Sequence, residues 1–138
     1  MAAKPETSFI QSIHRLMPGV YHEKMNNPFL SGTADVWYSG VDGDLWVEYK
    51  FIAKIPRSEN IFPAITPRQQ RWLDNRCDEG RNVAVVLGTP TGGVIYRDKQ
   101  WSIPLDTAGI NKLLVPKREV ADWIPRQVGT GVCKSSKG

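Results

Sequence analysis

A chain of 138 residues with 41% hydrophobic content has the size and make-up of one globular domain with a single core. Its longest wholly apolar run, VAVVL, is too short to cross a membrane, nothing has the layout of a signal peptide, and Cys77 and Cys133 lack metal-ligand spacing, which together point to a reducing cytoplasm. A net charge of +4 permits a polyanionic partner without demanding one.

The first expected element is a helix over 5–17, opened by Pro5 and stopped by Pro18-Gly19. Ile10, Ile13 and Met17 form an apolar stripe, and Glu6, four residues before Ile10, enters it at the N-terminal end. Glu6 either complements the helix dipole or serves a site; the residues alone leave both open. VYHEKM at 20–25 reads as a strand leading into the loop NNPFLSG. His14 and His22 read as single, unpaired histidines with surface or structural roles.

The stretch SGTADVWYSGVDGDLWVEYK, 31–50, reads as a hairpin turning near Asp42-Gly43. Strand side chains alternate in direction, so Leu45, Val47, Tyr49 and Phe51 share one face and Trp46, Glu48 and Lys50 the other. With an even-numbered loop, Asp35 joins the second set. A closing pair at Gly40 and Gly43 sets Asp35 across from Glu48; a loop of Asp42-Gly43 alone sets it across from Lys50. Two carboxylates this close repel, and a cation tempers the repulsion. The group suits a hard divalent ion whose shell water and phosphate complete, with Lys50 serving an attacking water or a phosphoryl oxygen. That chemistry is phosphodiester hydrolysis. From composition alone, an Asp, Glu and Lys forming surface ion pairs is the commoner arrangement.

IAKIPRSENIFPAI, 52–65, is too broken by prolines and charges for a regular element. It reads as a loop in which Lys54 and Arg57 either meet phosphates or are merely solvated. TPRQQRWLDNRCDEG then reads as a helix: Thr66 caps it, Pro67 takes its first position, Gln69 completes a capping box and Gly80 stops it. NVAVVLG, apolar on both faces, reads as a buried strand parallel to the Glu48 strand and reached by a right-handed crossover. GGVIYRD adds a strand after a GTPTGG turn. Two short helices follow around TAGINKLL and KREVADWI, and the chain finishes in a flexible basic tail over 126–138. Residues 112–138 hold six Lys or Arg against two acids, a solubilising tail or a DNA-facing surface.

In order and spacing, Glu6, the GTAD of Gly32 to Asp35, the EYK of Glu48 to Lys50, TPRQ at 66–69, Gly80 and NVAVVLG resemble the motifs of the PD-(D/E)XK nuclease superfamily. The likeness is to its VRR-NUC and archaeal-type Holliday junction resolvase branch, which includes phage-encoded members. It spans 4–96 and not the residues beyond about 97; Ala34 stands where the usual pattern has Pro. The resemblance implies a restriction-endonuclease-like α/β fold, a mixed central sheet flanked by helices; the residues themselves, with no linker to divide them, give one domain over 1–125 with a helical C-terminal addition at about 105–125. The resemblance also implies a magnesium-dependent DNA endonuclease, with manganese as substitute. Asp35, Glu48 and the Tyr49 main-chain carbonyl would hold the ion, Glu6 would assist through a second ion or a water, Lys50 would serve the nucleophile, and Gln69 would lie close by. Two paired sites in a homodimer would cut branched DNA such as a four-way junction, in a host cytoplasm if the chain is phage-encoded. The rivals are a nuclease that nicks flaps, single strands or foreign duplex, and a DNA-binding module without catalysis. No Gly-rich phosphate loop of the Walker type is present, so no nucleotide cofactor is expected. Lys54, Arg57, Arg68 and Arg71 are cations suited to phosphates and carry no base-reading motif.

Overall fold

The computed structural model describes residues 4–25 and 32–129. Helix α1 spans Pro5–Arg15, two residues short of the expected 17, with Leu16 as its C-cap. Its buried line is Phe9, Ile13 and Met17, with Ile10 half-buried beside it, so Phe9 takes the place given to Ile10. Gly88 makes room for the substitution: a Cβ there would lie 2.7 Å from the Phe9 ring.

β1 (Tyr21–Lys24), β2 (Val36–Gly40) and β3 (Gly43–Phe51) form an antiparallel meander. Gly40 pairs with Gly43 and Val36 with Val47. The two loop residues are therefore Val41 and Asp42, and the register carries Asp35 across from Glu48. The NNPFLSG loop lies, from 26 to 31, outside the described residues.

α2 (Pro67–Asp78) carries the chain to β4 (Val83–Gly88), which runs parallel to β3. Both halves of the capping box form: Thr66 Oγ1 accepts from Gln69 N at 3.1 Å, and Gln69 Oε1 accepts from Thr66 N at 2.9 Å. β5 (Gly92–Tyr96) returns antiparallel, closed by Thr89, whose N–H donates to Gly92 O at 2.8 Å. A 3-10 turn at Gln100–Ser102 leads to α3 (Thr107–Leu113). The irregular 52–65 segment is tied there: Ile61 bridges Leu105, and Thr107 Oγ1 donates to Pro56 O at 2.7 Å.

The last elements depart from the sequence reading. A two-residue strand β6 (Val115–Pro116), not anticipated, pairs with Gly92 and Gly93. α4 (Lys117–Val128) runs through Pro125 and takes in 126–128, which the sequence assigned to a tail. Pro125 forfeits a helical hydrogen bond, but Ile124 and Val128 are both buried, so packing carries the helix through. Residues 130–138, with Cys133, lie outside the described residues. The end of α4 locks onto the hairpin: Asp42 N donates to Val128 O at 2.8 Å, and a Cβ on Gly40 would meet Gly129 O at 2.2 Å.

The strands make one mixed sheet in the order β1-β2-β3-β4-β5-β6, flanked by four helices. On one face α1 and α4 pack with Tyr38, Val47, Tyr49 and Val86; on the other α2 and α3 pack with Val85, Leu87, Val94 and Trp101. This is the expected α/β architecture. Among the described residues no helix is long and apolar enough to cross a membrane.

Candidate functional site

Asp35 sits just before β2, where Met25 N donates to its carbonyl at 2.7 Å and so prolongs the β1–β2 ladder. Its Oδ2 accepts from the Tyr49 main-chain N–H at 2.9 Å. A strand residue points its N–H and C=O to the same side, so the Tyr49 carbonyl faces the Asp35 side as well. Gly32 allows the approach: its φ is +102°, and a Cβ there would lie 2.8 Å from Arg68 O at the start of α2.

Glu48, on β3, is 1% exposed. Its Oε2 accepts from Gln69 Nε2 at 3.1 Å and lies 3.5 Å from Lys50 Nζ. Its Oε1 is buried with no hydrogen-bond partner among the described residues. Burial pushes Glu48 up to about 9, helped by the Asp35 charge beside it and opposed by Lys50. Glu6, half-buried at the start of α1, is also raised, first by burial and then by Asp35, against the pull of Lys50, Lys24 and Lys4.

The structure therefore brings Asp35, Glu48, Lys50 and Gln69 into contact or facing positions, with Glu6 inside their electrostatic reach. No three His, Cys, Asp or Glu side chains among the described residues gather closely enough to cage an ion. The oxygen donors at hand are the Asp35 and Glu48 carboxylates and the Tyr49 carbonyl, and Glu6 acts from further off. An orphaned carboxylate oxygen beside a second carboxylate is a donor set that a hard divalent cation fits, since such ions take oxygen ligands and keep several waters. Arg68 and Arg71 line a depression of about 650 Å³ with Gly32, Thr66, Pro67 and Gln69, next to this site. Lys54 and Arg57 are exposed on the 52–65 segment and do not line that depression. Arg57 lies between Pro56 and Ser58, both bonded to Thr107.

Three features escaped the sequence reading. Lys24 reaches Glu6 electrostatically from β1. His14 and His22 are not unpaired: their rings, one on α1 and one on β1, stack at 3.8 Å. Behind the site, His14 Nε2 shares a hydrogen bond with Tyr38 OH at 2.7 Å, and Tyr38 OH with Tyr49 OH at 2.5 Å. The alternation did hold a signal for that chain, since it turns Tyr38 and Tyr49 toward the same core, where a buried hydroxyl requires a partner.

No family model and no curated protein matches the chain. Among solved structures it is similar to that of Archaeoglobus fulgidus Hjc, a Holliday junction resolvase from an archaeal hyperthermophile. The TM-score is 0.54 at 13% identity, over 86% of this chain and 97% of that one. That share of this chain is larger than residues 4–96, so the likeness extends past the motif-bearing span. At this identity it is a likeness of fold: the mixed six-stranded sheet between four helices is an α/β architecture of the kind that resolvase has.

Proposed function

We propose that the chain is a divalent-metal-dependent DNA endonuclease of the PD-(D/E)XK type, selective for branched DNA in the manner of a four-way junction resolvase. The observation that carries the reading is Glu48: a carboxyl 1% exposed, with one orphaned oxygen, set beside Asp35 and Lys50 on one sheet face. Burying such a group in its ionised form is costly unless a cation completes it.

Magnesium or manganese, held by Asp35, Glu48 and the Tyr49 carbonyl, would supply charge neutralisation at the scissile phosphate and acidify the attacking water. The chain's own residues do the rest. Gln69 fixes the Glu48 rotamer through Oε2, and the Tyr49 N–H fixes Asp35. Lys50 Nζ, anchored 3.5 Å from Glu48, orients the nucleophile or meets charge growing on a phosphoryl oxygen. Glu6 adds negative field at the rim and serves a second ion or a water. Arg68 and Arg71 hold phosphates in the neighbouring depression.

The finer assignments belong to the same reading: the VRR-NUC or archaeal-resolvase-like branch, a phage origin, action in the host cytoplasm, and a homodimer that pairs two sites for two cuts. The deciding experiment compares cleavage of a four-way junction, a flap, plain duplex and single strands in magnesium. Cleavage concentrated on the branched molecules supports the proposal. No cleavage of any of them, with binding intact, makes the chain a DNA-binding module of this fold instead.

A further inference from the structure

The alternation that puts Asp35, Glu48 and Lys50 on one face of the sheet puts Trp37 and Trp46 on the same face, one step further along the same strands. Glu23 pairs with Trp37 and Tyr21 with Ser39, so Tyr21 faces that way too. The rings touch in sequence. Tyr21 meets Trp37 at 5.8 Å, Trp37 stacks on Trp46 at 6.0 Å, and Trp46 meets Trp72 of α2 edge to face at 5.6 Å. The Arg76 guanidinium closes the row 5.7 Å from the Trp72 ring.

Tyr21 is exposed, and Trp37, Trp46 and Trp72 are half-buried, each keeping part of its ring at the surface. α2 packs over β4 and meets β3 at the Gln69–Glu48 hydrogen bond and the Trp46–Trp72 contact, while all four residues of β1 are exposed, Tyr21 by 55%. At the α2 end the row opens into a cleft of about 750 Å³ lined by Trp46, Trp72, Asp44, Arg76, Glu79 and Arg81.

The charges around the row select the ligand. Glu23 beside Trp37 and Asp44 at the cleft repel phosphates, while Glu79 is taken up by Arg76 at 2.7 Å and Arg81 at 3.8 Å. The flat face of a nucleobase carries no net charge and stacks on any aromatic ring. A strand whose phosphates lie at Arg68 and Arg71 would therefore turn its bases, not its backbone, toward the tryptophans. Inside a duplex those faces are hidden; only unpaired nucleotides offer them.

We propose that Tyr21, Trp37, Trp46 and Trp72 form a stacking platform for the unpaired bases of one DNA strand. The substrate class is then branched DNA with unpaired nucleotides beside the cut: a flap, a splayed arm or a junction whose arms open at the branch point. The inference deepens the nuclease reading and rests on it for the identity of the polymer.

The test measures binding without cleavage, in calcium, of fluorescein-labelled dT16 and of a 16-mer whose sugars carry no bases. The wild type binds dT16 at least about tenfold more tightly than the abasic strand. Tyr21→Ala and Trp72→Leu, each checked for folding by circular dichroism, lose about tenfold on dT16 and nothing on the abasic strand, as the loss of one stacked base predicts. Tyr21 is exposed, so its variant decides the matter if Trp72→Leu does not fold. Equal binding of the two strands, binding of neither, or equal losses on both in the variants overturns the platform. So does a change from dimer to monomer in the variants by sedimentation, which makes the face a contact between two copies. Failure of the nuclease reading shows separately, as absent cleavage in magnesium with base-dependent binding intact.

Discussion

One side chain, Gln69, both caps α2 and holds Glu48: its Oε1 accepts from Thr66 N at 2.9 Å while its Nε2 donates to Glu48 Oε2 at 3.1 Å. Gln69→Glu keeps an oxygen for the Thr66 amide but replaces the donor that faces Glu48. Its thermal midpoint should stay near that of the wild type, while cleavage falls roughly ten- to a hundredfold, the worth of one hydrogen bond to a charged group. Gln69→Ala should lose the activity and also some stability, because Thr66 N loses its partner while Thr66 Oγ1 still caps the helix. Equal activity in Gln69→Glu and wild type would remove Gln69 from the site.

Asp35→Ala, Glu48→Ala and Lys50→Ala should each abolish cleavage, by orders of magnitude in rate, and leave DNA binding largely intact. Asp35→Asn is a cleaner probe, because an amide oxygen still accepts from the Tyr49 N–H. Full cleavage by either Asp35 variant would refute the assignment. Gel-shift and cleavage assays on the same junction provide both readouts.

The cation should compete with a proton. Glu48 is pushed up to about 9 by burial, so the metal-free protein holds it protonated at neutral pH, and an ion must displace that proton. Magnesium affinity should therefore rise between pH 7 and 9, as isothermal titration would register. Manganese should replace magnesium, calcium should support binding with little cleavage, and a chelator should stop cleavage. Cleavage that persists in excess chelator contradicts the metal requirement.

Acid should loosen the contact between α1 and β1. His14 is lowered from 6.5 to about 4, first by burial and then by His22. Between those values the unfolded chain takes up a proton that the folded one refuses, so stability is intact above 6.5 and falls as pH drops toward 4. Urea midpoints at pH 7 and pH 4.5 should differ more in the wild type than in His14→Gln. An identical difference in both would assign the acid sensitivity to other groups.

Replacing Arg68 and Arg71 together with Gln should weaken binding equally on junctions of unrelated sequence and flatten the dependence on log salt by about two units, one for each lost phosphate contact. Selectivity then comes from DNA shape. A linear duplex of one short sequence, bound better than any junction lacking it, would count against the whole scheme.

The hairpin was legible because its information is local. Alternation fixes which side chains share a face, and of the two registers open to the sequence, the one closed by Gly40 and Gly43 forms, since the end of α4 occupies the space against Gly40. Thr66, Pro67, Gln69 and Gly80 mark α2 for the same local reason. What escaped depends on elements distant in the chain. Phe9 is buried because β4 offers Gly88, Pro125 lies within a helix because Ile124 and Val128 have a core to enter, and the histidines meet because one stands on α1 and the other on β1. The aromatic row beside the charges is not local in the same way, because Trp72 arrives from another element.

The clasp of α4 on the hairpin sets an order of events during synthesis. β2 and β3 leave the ribosome early, but the loop between them finds its partner only when Val128 and Gly129 emerge. Until then the Gly40–Gly43 pairing rests on the strands themselves, without the contact that α4 adds at the turn. The last turn of α4 thus closes the far end of the hairpin whose register sets Asp35 against Glu48.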